Sequence, residues 1–422
     1  MQSETGPGAS IPATRIASEA LPPASRPPAT TVPGRRVRLE SIDVLRGIVM
    51  ILMALDHVRD FFGNYAINPT SLATTTVPLF FTRWVTHLCA PVFFLLTGTG
   101  AYLALRHKSS SELAGFLWTR GLWLMFLDAV VVRCLGLQFN FDYRVTVLNV
   151  LWALGWSMVV LSALVRFGPR AATIFGAILI AGHNLLDGVQ SASFGSLASL
   201  WTLLHSPGVL LSDSQRTVVA GYSIVPWIGV TAVGFGLGQL YDWPAPRRQL
   251  FLMRVGLALM GGFLVLRGLN VYGDPVPWTA QQSGVFTALS FLNTNKYPPS
   301  LSFLLMTLGP ALCLLAMLDR GTPRLLRPAL VFGKVPLFYF LLHLSLIHAA
   351  AVAVCLIRYG DAHWMFESNR LDQYPFTQPP DWAFGLPVIY VVWVLVVLAM
   401  FPVSAWYARA KQRHQAPWLS YL

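Results

Sequence analysis

Charged side chains are scarce in this chain: Asp, Glu, Lys and Arg make up 11% of its 422 residues, against 55% hydrophobic. A soluble protein of this size would break its apolar residues into amphipathic periods separated by polar turns, so the scarcity excludes an ordinary cytosolic domain. Cysteine is also rare. Cys89, Cys134, Cys313 and Cys355 have no CxxC spacing, which excludes a disulfide framework and a zinc finger and leaves them as packing residues. No GxGxxG or GxxxxGK run is present to cradle a phosphate, and no GxSxG elbow to present a nucleophilic serine.

What the chain does have is stretch after stretch of about 20 nearly uncharged residues, the length that spans ~30 Å of hydrocarbon. The expected fold is an all-α polytopic membrane protein with about ten transmembrane helices around a central polar cavity. The spans are read at 41–62, 78–105, 113–136, 146–165, 171–188, 217–240, 249–269, 299–318, 329–357 and 384–407. Loop charge supports an even number: fifteen Lys and Arg fall on the side shared with both termini, and five on the other. Cytoplasmic loops carry that excess, so both termini are expected inside. The net charge of +12 is spread in twos and threes over alternate loops. It therefore records topology and contact with anionic membrane lipids, and no nucleic-acid partner is expected.

Residues 1–38, rich in Pro, Ala, Ser and Thr, lack the apolar core of a signal peptide and read as a disordered cytoplasmic tail. Residues 39–410 form the membrane domain and 411–422 a short cytoplasmic tail. The stretches 189–216 and 270–298 fall outside, where long ordered loops could cap a cavity.

The first span, "SIDVLRGIVMILMALDHVRDFF", carries charge at membrane depth, where charge is expensive. Helical spacing puts Asp43, Arg46, Met50, Met53, His57 and Asp60 on one face. Arg46 and His57 are almost three turns apart, about 16 Å along the axis. Such a stripe must face the protein interior or water. His57 is either a buried polar residue bonded to a neighbour or a general base, its tautomer set by Asp56 or Asp60. Arg59 belongs to the same crowd.

Arg83 and His87, four residues apart near the outer end of the second span, are candidates to line the same cavity. The alternatives are a snorkelling arginine and a hydrogen-bonded histidine. Pro91, Gly98 and Gly100 suit a kink and close helix packing. Arg120 and Asp128 read as structural partners of neighbouring helices, and His183, Asn184 and Asp187 as interfacial residues. His343 lies mid-membrane as a cavity candidate, with His348 nearly opposite around the helix. No span carries two histidines on one face as a haem site requires, and only Asp56–His57 hints at a metal ligand pair, so no metal is expected.

The segments "IDVLRGIVMILMALDHVRDFF", "THLCAPVFFLLTGTGAYLAL", "PWIGVTAVGFGLGQLY", "KYPPSLSFLLMTLGPA" and "FGKVPLFYFLLHLSLIHA", in that order over roughly 38–410, resemble bacterial members of the heparan-α-glucosaminide N-acetyltransferase catalytic-domain family. That family is similar to the acyltransferase-3 proteins, whose first helix bears Arg-x10-His, the spacing of Arg46 and His57. The resemblance implies a bacterial inner-membrane enzyme. It would move an acyl group, typically acetyl, from cytosolic acyl-CoA to an extracytoplasmic sugar-like acceptor. His57 would be the general base or an acyl carrier, Arg46 would position the donor, and Asp43 would hold Arg46. Lys296 and Tyr297 sit in a family-like segment and join the cavity candidates. The competing expectation is a transporter or exporter whose stripe lines a pathway without making bonds; the inverted repeats common in transporters are not found.

Overall fold

The computed structural model describes residues 39–413 apart from Ala66, so the expected tail of 1–38 and most of that at 411–422 lie outside the described residues. The chain runs through α1 (Glu40–Phe62), α2 (Val77–Thr86), α3 (Cys89–Leu105) and α4 (Ser110–Phe126), which continues as a π-helix over Leu127–Leu137. After β1 (Val145–Leu148) come α5 (Val150–Leu164), α6 (Gly168–Gly182), the short α7 (Ala198–Leu204), β2 (Gly208–Ser212) and β3 (Thr217–Ala220). The remainder is α8 (Ile224–Leu237), α9 (Ala245–Leu269), α10 (Gly284–Leu292), α11 (Leu301–Leu318), α12 (Ala329–Gly333), α13 (Pro336–Tyr359) and α14 (Leu386–Arg413).

Seven helical stretches among the described residues are long and apolar enough to cross a membrane, so the chain is a multi-pass membrane protein. Ten were expected, and the difference has identifiable causes. The tract Val150–Leu186 counts once, although Gly168, at φ +82°, separates α5 from α6 within it. α1 is excluded by its own charges, Asp43, Arg46, Asp56, Arg59 and Asp60 among them. The expected span 113–136 is not among the seven, because α4 is 17 residues long and passes into the π-helix at Leu127. Two other expected spans keep their place in the count but are interrupted: 78–105 divides at His87–Leu88 into α2 and α3, and 329–357 divides at Lys334–Val335 into α12 and α13. Residues 146–148 and 217–220, read as the starts of two spans, instead belong to β1 and β3 of a three-stranded sheet in the order β1-β3-β2, β1 parallel and β2 antiparallel to β3.

α1 forms because a long apolar run carries Glu40 and Asp43 in its first turn and Arg59 in its last, each sign complementing the helix dipole. It packs against α2, α3, α11, α12, α13 and α14, and most of its residues are buried. The carbonyls left open at its C-terminus are claimed by the loop before α14: Trp382 Nε1 donates to Phe61 O at 2.8 Å, Phe384 N to Phe62 O at 2.9 Å, and Gln378 Nε2 to Gly63 O at 2.7 Å. At the other end α12 lies directly on α1. A Cβ at Gly333 would overlap the Asp43 carbonyl, and one at Gly47 the Ala329 carbonyl, so this contact requires glycine on both helices. By contrast α9 and α14 are buried over only 17% of their apolar windows, and Leu264 and Leu398 stand about 60% exposed, as lipid-facing helices should.

Candidate active site

The expected stripe on α1 exists, but its two ends differ. At the N-terminal end Arg46 Nη1 donates to Asp43 Oδ1 at 3.0 Å and to the Gly333 carbonyl at 3.3 Å. The guanidinium is thereby held where α12 gives way to α13. Between the ends Met50 and Met53 are 2% and 7% exposed, so the middle of the stripe is closed in this conformation.

Near the C-terminal end of α1 lies a cavity of about 520 Å³, lined by Arg59, Asn68–Ser71, Arg83, His87, Val276 and Asn293–Tyr297; His57, Asp60 and His343 are not among its lining residues. Three of these residues are cationic and none is acidic. Asp56 lies behind the lining and organises it. Its Oδ1 accepts from Arg59 Nη2 at 2.9 Å, while Oδ2 accepts from Arg83 Nη1. Arg59 Nη2 also reaches Asp60 Oδ1 at 2.6 Å. Asp56, engaged by an arginine on each of its two oxygens, thus ties α1 to α2 at the cavity wall.

His57 faces a different set of neighbours. Its Nδ1 stands 3.8 Å from Asp60 Oδ2, within ion-pair range but beyond a hydrogen bond. Its ring centroid is 5.3 Å from that of His343 on α13. His343 is fully buried, stacks on Tyr339 and points Nδ1 at the Tyr339 carbonyl, 3.0 Å away. A carbonyl can only accept, so Nδ1 carries the proton and Nε2 keeps a lone pair that meets no hydrogen-bond donor. A histidine pair has therefore been assembled across two helices, one ring 22% exposed and one enclosed.

Arg83 and His87 do line the cavity, brought there by the break between α2 and α3; His87 is 3% exposed and packs edge-on against Phe303. Lys296 and Tyr297 also line the cavity. The Lys296 side chain is mostly buried, lies over the Tyr297 ring and makes no ion pair among the described residues. Burial raises the Tyr297 phenol, yet the Lys296 ammonium, the Arg83 guanidinium and a hydrogen bond with Tyr222 outweigh it and hold that phenol below its ordinary value. His348 is not at the cavity. It stacks on Phe139, and its two nitrogens lie against the Gly136 and Met365 carbonyls, tying the π-helix to α13.

Two residues that brace the wall, Arg267 and Asp274, carried no signal in sequence. Arg267, 2% exposed, donates to the carbonyls of Val276, Ser290, Phe291 and Asn293 at 2.8–3.2 Å and so fixes the loop that precedes Lys296. Asp274 completes this brace, accepting from Asn295 N at 3.0 Å and Ser300 Oγ at 2.7 Å. Asp128, expected as a structural partner, accepts from Asn149 N at 2.7 Å and caps the start of α5. Thr99 Oγ1 bridges α3 to the Gly234 carbonyl at 3.0 Å, beside Gly98, where the close packing expected of that glycine is found.

The family model described as heparan-alpha-glucosaminide N-acetyltransferase, catalytic, matches residues 38–269. The chain belongs to this family. No curated protein matches it. Membership makes the protein a membrane transferase of the acetyltransferase type and implies, at that coarse level, an acetyl-CoA-like donor. The matched region contains both ends of α1 together with Arg83 and His87, whereas Lys296, Tyr297, His343 and α11–α14 lie beyond it. In this member of the N-acetyltransferase family the cavity is therefore walled partly by matched and partly by unmatched chain.

Proposed function

We propose that the protein transfers an acyl group, most simply acetyl, from acyl-CoA bound at the Arg46 end of α1 to a sugar-like acceptor held in the cavity at the other end. In this reading the helices make ten crossings of a bacterial inner membrane, with α1 and the charged pair α4–π-helix among them. The N-terminus is inside, so the donor arrives from the cytoplasm and the acceptor from outside.

The observation that supports this reading is the position of His57, paired with His343 across two helices, on the same helix as the cavity-lining Arg59 and three turns from Arg46 on one helix face. The acceptor hydroxyl or amine attacks the thioester carbonyl while neutral His57 takes its proton. The carbon–sulfur bond then breaks, and the CoA thiolate leaves and takes up a proton from the imidazolium. No acyl-histidine is needed, since one base beside two bound substrates suffices. Asp60 stabilises the imidazolium that forms, and Arg46, with Asp43 behind it, binds the anionic part of the donor. Lys296, Arg59 and Arg83 orient the acceptor. Met50 and Met53, unbranched thioethers that repack at low cost, are the gate through which the donor's thiol arm passes.

Purified protein in liposomes, supplied with acyl-labelled CoA on one face, tests the proposal. Release of free thiol with transfer of label to an added amino sugar on the other face is expected. Failure to bind acyl-CoA in any orientation would remove the enzyme and leave the transporter, in which the cavity is one open state of a pathway.

A further inference from the structure

Away from the stripe, the outer loops bring together three residues that lie far apart in sequence. His183 at the end of α6, Asp187 one turn later and His205 just after α7 each offer a ligand atom, all within 4.8 Å of one another. His183 is 3% exposed, and neither of its ring nitrogens makes a hydrogen bond. His205 is 2% exposed; its Nε2 lies 2.9 Å from the His183 carbonyl and 3.7 Å from Asp187 Oδ1, and its Nδ1 has no partner. Buried imidazole nitrogens left without partners are costly, and three in one place, both of His183 and Nδ1 of His205, call for an occupant.

We propose that His183, Asp187 and His205 bind one Zn²⁺ ion that fastens the outer loops to the start of α11. Two imidazoles and one carboxylate are the donor set of zinc; calcium and magnesium take oxygen shells. Around a tetrahedral zinc at roughly 2.0–2.1 Å, its fourth position filled by water, the ligand atoms stand about 3.4 Å apart, so side-chain rotation of about 1 Å closes the site. A second shell already exists: Asn184 Nδ2 donates to Asp187 Oδ2 at 2.8 Å, fixing the carboxylate so that Oδ1 faces the histidines. Trp201 stacks on His205, centroids 5.2 Å apart, and holds that ring in plane.

The consequence reaches the cavity. Asn184 Oδ1 accepts from Leu301 N at 2.8 Å, and Tyr272 donates to the Ala181 carbonyl, so the residues beside the zinc grip both ends of the segment that carries Lys296 and Tyr297. The metal takes no part in the chemistry; it sets the stiffness of that part of the cavity wall.

The full chain, purified in detergent without a polyhistidine tag, is stripped with chelator and dialysed against Zn²⁺ or Co²⁺. One zinc per chain retained through gel filtration is expected, with a rise in melting temperature on zinc addition. The Co²⁺ form should show the strong visible absorption of a tetrahedral site, erased by zinc. Asp187→Asn and His205→Gln should each weaken zinc affinity by about 100-fold or more. Wild-type protein that retains no zinc, a weak octahedral Co²⁺ spectrum, or an Asp187→Asn/His205→Gln double variant binding zinc as well as wild type would each overturn the proposal. Should the variants fail to fold, the wild-type cobalt spectrum alone decides.

Discussion

The two ends of α1 hold charge in opposite ways. At the N-terminal end one arginine is bound by one carboxylate and one backbone carbonyl, and the helix beside it is pressed so close that both contact points are glycine. At the C-terminal end two arginines share two carboxylates at the edge of an open cavity, whose lining also holds a lysine that makes no ion pair among the described residues. A site closed by backbone contact keeps one residue in one place, which in the proposed reading suits a constant donor. A site lined by long side chains around free volume tolerates ligands of different shape, as the proposed acceptor would require. On that proposal, the closed methionines between them must move for the two substrates to meet.

This contrast can be broken at either end. Gly333→Val forces a branched side chain into the Asp43 carbonyl and should cost about 3 kcal/mol or more of stability, seen as a lower melting temperature in detergent. Lys296→Met should leave the melting temperature nearly unchanged. Arg46→Met removes charge-assisted hydrogen bonds and should raise the KM for acyl-CoA about 10–100-fold, with the acceptor KM little changed. The mirror experiment, Lys296→Met, should raise the acceptor KM by about tenfold and spare the donor. Asp60→Asn keeps the shape but removes the charge facing His57 across 3.8 Å, a contact partly open to water, so kcat should fall only a few-fold. Equal effects on both substrates from either arginine or lysine variant would show that the two ends are not separate sites.

Much of this was legible in sequence wherever a local period carries the information. The apolar tracts became helices, the i, i+3, i+4 spacing put Asp43, Arg46 and His57 on one stripe, and the Arg83/His87 spacing placed both on one cavity wall. Features set by contacts between distant segments were not legible. No period announces that His343 will stand over His57, because that contact belongs to the packing of α13 on α1. Arg267 resembles any arginine at a helix end until four carbonyls are found around it. His205 sits in a loop with no spacing relative to His183, and Asp56, adjacent to the candidate base, resembles its partner until Arg83 arrives from another helix. The strand at 145–148 and the break at Lys334–Val335 were hidden for a related reason: both lie inside apolar tracts, where composition alone does not separate strand, break and helix.

The most direct test of the central claim is a paired measurement on His57→Gln: acyl-CoA binding and single-turnover acyl transfer, on the same reconstituted sample. If His57 is the base between a donor end and an acceptor end, binding stays within about twofold of wild type while transfer falls by roughly 10²–10⁴-fold. Transfer at the wild-type rate would contradict the account, as would a loss of acyl-CoA binding equal to the loss of transfer.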